Sequence, residues 1–295
     1  MPMAIIVHGG AGTISLERAE AAQKGCKAAA AVGWQVLQAG GSALDAVEAA
    51  VRALEDNPDY NAGTGSCLTR DGNIEMDAGI MEGQTLRVGA VASVEFIKNP
   101  VSLARAVLES PHVLLAGTGA RQFALERGIQ LCSLEDLMTE RQYTRWKSLY
   151  AVQSQQVQPE EQHGTVWAAA IDSSGHLAAA TSTGGIPGKY PGRIGDSPLV
   201  GCGFYADEDA AVSCTGHGED FIRLLLARRA GEFVTEGMSA PEAAHAAIRV
   251  LRARTGGSGG LIIVDYRGKI GFANNSNQMA RAYITEGMDE PVAAI

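Results

Sequence analysis

The feature that most constrains this chain is a threonine at the junction between a polar segment and an apolar strand pattern. Residues 154–162 (SQQVQPEEQ) have no apolar periodicity, which predicts an exposed loop. Residues 165–171 (TVWAAAI) and 177–181 (LAAAT) are short apolar runs joined by a turn rich in Asp, Ser and Gly, which predicts a β-hairpin. Thr165 therefore lies where an accessible linker meets a rigid strand.

A threonine hydroxyl needs a neighbouring base to act as a nucleophile. If the Gly164–Thr165 bond were cut, Thr165 would carry its own base, because an α-amine has a reference pKa of about 7.7–8.0. The alternative is that Thr165 is only the first residue of a β-strand, where threonine is common. The junction alone does not separate the two interpretations.

A series of motifs extends the pattern over nearly the whole chain. HGTV at residues 163–166 is followed by TSTGG at 181–185, PGRIGDSPLVG at 191–201 and CTGHGE at 214–219. The N-terminal half adds HGGAGT at 8–13 and NPDYNAGTGSCLTRDGNIEMDAGIMEG at 57–83. In this order the motifs resemble the plant-type asparaginase and isoaspartyl peptidase family of N-terminal nucleophile hydrolases.

This resemblance implies the fold and the processing of the chain. We expect an α+β protein with the four-layer αββα sandwich of these hydrolases, formed as a single domain over residues 1–295. Self-cleavage would give an α subunit of residues 1–164, with an exposed linker at about 150–164, and a β subunit of residues 165–295. The family also suggests a homodimer of processed αβ protomers.

Two further segments offer polar groups that suit an amino-acid substrate. The turn after Cys214 leads from a strand into a helix, and its glycines expose backbone N–H groups such as an oxyanion hole requires. Arg193 and Asp196 would complement the α-carboxylate and α-ammonium of a zwitterion, or would instead pair with each other as a surface salt bridge. His217 is assigned a structural role, because the N-terminal amine already serves as the base.

The resemblance gives each of these residues a role. The cleavage site is Gly164–Thr165, and Thr165 is the nucleophile. Thr183 lies beside it, Asn61 reaches towards it, and Thr215 and Gly216 stabilise the oxyanion. The aspartyl end of the substrate is bound by Arg193 and Asp196, together with Thr215 and Gly216.

The activity implied is release of L-aspartate from L-asparagine and from β-aspartyl dipeptides, without a cofactor for catalysis. One alternative is a glycosylasparaginase-like hydrolase, which the lack of a signal peptide and of a disulfide pattern disfavours. Another is a non-catalytic homologue that binds a small amino acid and stays uncut.

Residues 54–64 (LEDNPDYNAGT) form an irregular loop whose carbonyl oxygens are free to bind a hard cation. The resemblance implies a structural sodium ion held by main-chain oxygens. The residues concerned would be Leu54, Glu55, Asn57, Tyr60, Ala62 and Thr64. The alternative is a plain turn built on Asn, Asp and Gly.

Composition argues against several classes of partner. The 295 residues carry a net charge of −9 and no cluster of Lys and Arg, so nucleic acid is not expected. No segment approaches the roughly 20 apolar residues of a membrane span. Five scattered cysteines and a start without a signal-peptide pattern predict a cytoplasmic protein with reduced thiols.

Two positions depart from the family pattern. Trp167 stands where the family usually has glycine, and Gly188 replaces the usual asparagine of a GGxxNK segment. We expect the indole to narrow or reshape the pocket at Thr165, or to slow self-cleavage.

The remaining elements follow from periodicity and capping residues. HGGAGT is predicted to be a glycine-rich loop, with phosphate binding as an alternative function. Strands are predicted at residues 3–7, 88–97, 202–205, 210–214, 261–266 and 269–273, and helices at 16–38, 42–56, 100–109, 117–127, 134–149, 220–230 and 241–254.

Overall fold

The computed structural model describes residues 1–151 and 162–295, so most of the predicted linker lies outside the described residues. Its helices are α1 (Leu16–Gln38), α2 (Ala43–Glu55), α3 (Pro100–Leu108), α4 (Gly117–Glu126), α5 (Leu134–Leu137), α6 (Glu140–Ala151), α7 (Gly218–Leu224), α8 (Leu226–Thr235) and α9 (Ala240–Thr255). Its strands are β1 (Ala4–Gly12), β2 (Met76–Glu82), β3 (Val88–Val94), β4 (Leu114–Ala116), β5 (Gln162–His163), β6 (Val166–Ile171), β7 (Leu177–Thr183), β8 (Phe204–Ala206), β9 (Ala210–Gly216), β10 (Gly259–Asp265), β11 (Ile270–Asn274), β12 (Gln278–Thr285) and β13 (Val292–Ala294).

The strands form two sheets that pack face to face between layers of helices. The larger sheet has the order β13-β12-β1-β6-β7-β2-β3-β4, with β5 also pairing with β1, and the smaller has the order β11-β10-β9-β8. Helices α1, α2 and α3 cover the outer face of the larger sheet, and α8 and α9 cover the smaller one. This arrangement confirms the predicted αββα sandwich.

The central strands alternate between the two hydrophobic layers. In β6, Ala168 and Ala170 face the helices, whereas Trp167, Ala169 and Ile171 face the second sheet. Alternation follows from the pleat of the strand, and small side chains let both layers approach closely. Thr165 precedes this strand, so the alternation directs its side chain towards the second sheet.

Several predicted elements need correction. HGGAGT belongs to β1, where the pairing with β12 shifts between His8 and Ala11, so the segment is an irregular strand and not a loop. Residues 134–149 do not form one helix, because Met138 has an extended backbone between α5 and α6. The helix predicted at 220–230 is interrupted at Leu225, whose left-handed φ of 51° ends α7.

Strands β2, β4, β5, β12 and β13 are not among the strands predicted from the sequence. Strand β12 lies inside the larger sheet, between β1 and the edge strand β13, yet Gln278 and Arg281 interrupt its apolar pattern. Strand β2 contains Asp77 and Gly79, residues that are normally depleted in strands. Gly79 is required because a Cβ there would lie 2.4 Å from the Phe204 ring of the smaller sheet.

Glu55 connects α2 to the start of α3 from a fully buried position. Its Oε1 accepts a hydrogen bond of 2.9 Å from the Val101 N–H, while Oε2 has no partner among the described residues. Burial raises the pKa of the Glu55 carboxyl to about 8, although its hydrogen bonds oppose the change. The carboxyl is therefore neutral in the folded protein at pH 7.

This burial predicts a pH-dependent cost to stability. As the pH rises from about 4.5 to about 8, Glu55 ionises in the unfolded chain but not in the folded one, so folding becomes less favourable. We expect Glu55→Gln to gain stability relative to the wild type across this window, by at least about 1 kcal/mol between pH 5 and 8. Urea denaturation at several pH values measures the difference, with the exposed Glu126→Gln on α4 as control. The prediction would be contradicted if the free energy of unfolding depended on pH in the same way for Glu55→Gln and the wild type.

Candidate functional site

The side chains of Thr165 and Thr183 meet at the end of the β6–β7 hairpin. Their Oγ1 atoms lie 3.1 Å apart, and the Gly185 N–H donates to Thr183 Oγ1 at 3.0 Å. Thr165 is 9% exposed and Thr183 3% exposed. The pair is therefore shielded from bulk water, and the role of Thr183 in orienting the Thr165 hydroxyl stays a prediction.

Asn61 holds the residue before the nucleophile through its backbone. Its N–H donates to the Gly164 carbonyl oxygen at 3.2 Å. Its side chain points elsewhere: Nδ2 donates to the Gly185 oxygen and Oδ1 accepts from the Cys67 N–H, both at 2.7 Å. Asn61 therefore contacts Gly164 through its main chain, its described side-chain contacts do not include Thr165, and its role towards the nucleophile stays a prediction.

The end of β9 brings the predicted oxyanion residues to the same place from the second sheet. Gly216 lines the cavity that also contains Thr165 and Thr183. Thr215 is 1% exposed, and its Oγ1 has no hydrogen-bond partner within the described ranges. A buried hydroxyl without a partner is costly and is available to a ligand.

Glycine is required at residue 216 for steric reasons. A Cβ there would lie 2.4 Å from the Phe221 ring and 2.6 Å from the Ser258 oxygen. Without a side chain, the backbone at Gly216 packs closely against Phe221 of α7 and against the loop at Ser258. It also stays accessible from the cavity that contains Thr165.

Arg193 and Asp196 line this cavity but do not pair with each other. Arg193 instead makes a bidentate contact with Glu219, with Nε–Oε1 and Nη2–Oε2 distances of 2.9 and 2.7 Å. Burial opposes ionisation of Glu219, but the hydrogen bonds from Arg193 outweigh it and lower the pKa of this carboxyl. The alternative interpretation, a surface salt bridge between Arg193 and Asp196, is therefore absent from the described contacts.

Asp196 is a buried carboxyl that lacks a cationic contact. It is 5% exposed, and its Oδ2 has no partner among the residues described. Burial raises the pKa of Asp196 to about 7, because the Arg193 charge only partly offsets the loss of water. An ammonium group at this oxygen would stabilise the ionised form.

The cavity itself is small. It has a volume of about 10 Å³ and, besides the threonines, Arg193, Asp196 and Gly216, is lined by Gly185, Ile186, Gly195, Ser197 and Gly218. Such a volume holds about one water molecule.

His217 and Glu219 adjoin the site through Arg193. His217 contacts Glu219 and Asp220 at 3.2 and 3.3 Å, which fits its predicted structural role. Glu219 was not predicted as a site residue, because its contact with Arg193 joins segments 26 residues apart and leaves no local pattern.

Trp167 does not narrow the cavity directly, contrary to the sequence prediction. Its indole is fully buried between the sheets and is not among the residues that line the Thr165 cavity. It stacks on His8 with ring centroids 5.6 Å apart and reaches Gly203, where a Cβ would lie 2.9 Å from Cη2. The effect of Trp167 on processing rate stays a prediction.

The other unusual position, Gly188, has a left-handed φ of 71°. Glycine adopts this conformation without strain, and asparagine also tolerates it. The replacement of asparagine is thus compatible with the same backbone path.

Two glycines, one inside residues 54–64 and one directly after them, have left-handed backbones. Gly63 and Gly65 have φ values of 53° and 97°. A Cβ on Gly63 would lie 2.5 Å from the Glu55 oxygen, and one on Gly65 would lie 2.5 Å from the Tyr60 oxygen. Glycine at these two positions therefore lets the backbone pack closely against the Glu55 and Tyr60 carbonyl oxygens, and sodium binding by residues 54–64 stays a prediction.

Comparisons with known proteins agree with this geometry. The family model described as Asparaginase matches residues 1–293. A plant-type L-asparaginase from Pyrococcus horikoshii is 47% identical over 99% of this chain and 100% of its own length. The isoaspartyl peptidase/L-asparaginases of Bos taurus and Homo sapiens are 45% and 46% identical, covering 97% and 90% of this chain and 94% and 88% of their own lengths.

The family model and these relatives span nearly all of the chain, including both strands of the threonine hairpin and the Arg193–Asp196 segment. The fold, the paired threonines and the matches converge on one assignment, an amidohydrolase with an N-terminal nucleophile fold. The chain belongs to the asparaginase family that includes the plant-type L-asparaginases and isoaspartyl peptidases.

Proposed function

We propose that this chain cuts itself between Gly164 and Thr165 and then releases L-aspartate from L-asparagine and from β-aspartyl dipeptides. The observation that carries the proposal is the 3.1 Å contact between the Thr165 and Thr183 hydroxyls. Arg193 and Asp196 line the same cavity and complement the charged end of an amino acid. The proposed nucleophile and the two residues proposed to bind the charged groups of the substrate therefore line one cavity.

In the first reaction Thr165 acts on its own chain. Its Oγ attacks the Gly164 carbonyl carbon, and the Asn61 N–H, 3.2 Å from the carbonyl oxygen, stabilises the charge that develops there. The C–O bond forms, the Thr165 hydroxyl proton passes to the Thr165 nitrogen, and the peptide C–N bond breaks to leave an ester. Water then hydrolyses the resulting ester and leaves a Gly164 carboxylate and a free Thr165 amine.

In the second reaction the freed amine is the general base. It takes the proton from Thr165 Oγ as this oxygen attacks the substrate's side-chain carbonyl carbon, and it returns the proton to the departing amine. Thr215 Oγ1, which has no partner in the described parts of the chain, and the Gly216 N–H stabilise the oxyanion. Water then releases aspartate from the acyl-enzyme.

Substrate binding exchanges one set of contacts for another. The substrate α-carboxylate would replace Glu219 on the Arg193 guanidinium, and the α-ammonium would occupy the unpaired Oδ2 of Asp196. Asparagine and β-aspartyl peptides carry the same two groups. One pocket can therefore serve both substrates.

We also propose a dimer of processed protomers in the cytoplasm. Exposed apolar side chains at Val113, Leu114 and Leu125 support an interface beside β4 and α4. The five cysteines are free, which suits a reducing compartment. No helix in the described ranges is long and apolar enough to cross a membrane.

We further propose that residues 54–64 bind a structural sodium ion. The main-chain oxygens of Leu54, Glu55, Asn57, Tyr60, Ala62 and Thr64 would hold it, because a hard cation prefers oxygen donors. Since a carbonyl oxygen has two lone pairs, those that already accept a hydrogen bond keep a site for the ion. The ion would order the loop that carries Asn61 and supply no chemistry to the reaction.

Self-cleavage can be tested directly on the purified protein. Purified wild-type protein incubated at neutral pH should give two fragments that meet between Gly164 and Thr165, as measured by intact mass. Thr165→Ala removes the nucleophile and should stay a single chain, whereas Thr165→Ser retains a hydroxyl and should still be cut. A wild-type chain that stays intact, or equal cutting of Thr165→Ala, would rule out this mechanism.

Binding of aspartate should depend on ionisation of Asp196. Because its pKa is raised to about 7, the carboxyl becomes neutral at lower pH and loses its attraction for the α-ammonium. The inhibition constant of L-aspartate should therefore rise as pH falls below 7, approaching about tenfold per pH unit. Succinate lacks the ammonium and provides the control, since its inhibition constant should change much less. The same pH dependence for both compounds would exclude Asp196 as the ammonium site.

A sodium site predicts ion-specific stabilisation. At constant ionic strength, replacing choline chloride with NaCl should raise the melting temperature, by about 3 °C at ten times the dissociation constant. The rise should saturate with sodium concentration. Equal melting temperatures in sodium, lithium and choline salts would favour the plain-turn interpretation.

A further inference from the structure

A second cavity lies on the other side of the bond that is cut. It has a volume of about 50 Å³ and is lined by Gly164, by residues 9–14 at the glycine-rich end of β1, and by side chains of α1 and α6. Thr165 lines the catalytic cavity, whereas Gly164 lines this one. The Gly164–Thr165 bond therefore separates the two spaces.

The second cavity is bordered by three arginines and one carboxylate residue: Arg18, Arg141, Arg145 and Asp59. The guanidinium groups of Arg18 and Arg141 converge on one point, since both donate to the Asp59 carbonyl oxygen, at 2.6 and 3.3 Å. Arg141 also donates to the Pro58 oxygen at 3.0 Å. Two half-buried cations are thus held side by side by the same short segment.

No carboxylate within the described residues lies at ion-pair distance from Arg18 or Arg141. Burial, together with the neighbouring charge of Arg18, lowers the pKa of Arg141 to about 10. Each guanidinium has five N–H donors, and the backbone contacts leave several of them available. The cavity is therefore suited to an anion, and a carboxylate matches the planar geometry of guanidinium.

The chemistry of the proposed function brings a carboxylate to this place. The Thr165 amine returns its proton to the departing nitrogen of the substrate, so that nitrogen must lie close to the Thr165 nitrogen. In the uncut chain the Thr165 nitrogen is bonded to Gly164, which lines the second cavity. After the cut, the departing group can occupy the space beside Gly164. In a β-aspartyl dipeptide this group carries its α-carboxylate two bonds from the departing nitrogen.

Resting on the proposed function, we infer that the cavity bordered by Arg18 and Arg141 binds the C-terminal carboxylate of β-aspartyl dipeptides. It is a leaving-group subsite, distinct from the aspartyl subsite at Arg193 and Asp196. Asparagine, whose departing group is ammonia, has nothing to place there. The enzyme would therefore favour dipeptides with a free C-terminus over their C-terminal amides.

The test compares three substrates on the matured two-chain enzyme: β-aspartyl-leucine, β-aspartyl-leucinamide and asparagine. For the wild type, kcat/KM should be roughly tenfold to hundredfold higher for the free acid than for the amide. In Arg141→Gln and Arg18→Gln the acid-to-amide ratio should fall towards one, and the ratio of dipeptide to asparagine hydrolysis should fall with it. Arg252→Gln, on the exposed end of α9, is the matched control and should retain the wild-type ratios.

The outcomes separate the subsite from the proposed function. The subsite would be overturned if the wild type hydrolysed β-aspartyl-leucine and β-aspartyl-leucinamide with equal kcat/KM. It would also be overturned if the preference for the free acid were retained in both Arg141→Gln and Arg18→Gln. Absence of activity on all three substrates by a correctly cut enzyme would instead overturn the proposed function. If Arg141→Gln fails to mature, the acid-to-amide ratios of the wild type and of Arg18→Gln still test the subsite.

Discussion

The pairing of β6 with β7 is the constraint on which the site depends. Their register runs from Ile171 opposite Leu177 to Val166 opposite Ser182. One more step along the same register places Thr165 opposite Thr183, which is where their hydroxyls meet. A shift of one residue would turn every side chain of the strand to the other face and separate the pair.

The turn of this hairpin is held in place by Asp172. Its Oδ1 accepts hydrogen bonds from the N–H groups of Ser174 and His176, and its Oδ2 accepts from Ala43 at the start of α2. Register is thus set at the turn and transmitted along six residues to the opposite end. The hairpin could be predicted from its apolar runs and turn residues, and the adjacency of the threonines follows from that prediction.

Other parts of the site could not be derived in this way. The contact of Arg193 with Glu219 and the direction of the Asn61 side chain depend on where distant segments meet. Periodicity also failed for β12, because polar residues interrupt the pattern of a strand that is paired on both sides in the sheet. The indole of Trp167 was expected near the nucleophile, but Gly203 provides space for it between the sheets. Local patterns identify elements, whereas the neighbours of a side chain require the packing of the whole chain.

The order of strands in the larger sheet has a consequence for the cut protein. Strand β1, from the N-terminal fragment, lies between β12 and β6, which both belong to the C-terminal fragment, and β2 of the first fragment pairs with β7 of the second. Separation of the fragments would break three strand pairings through the middle of one sheet. A cut between Gly164 and Thr165 would thus leave the native state joined, yet it would turn refolding into a bimolecular reaction. A protein that folds once as a single chain would then recover from unfolding only at a rate set by its own concentration.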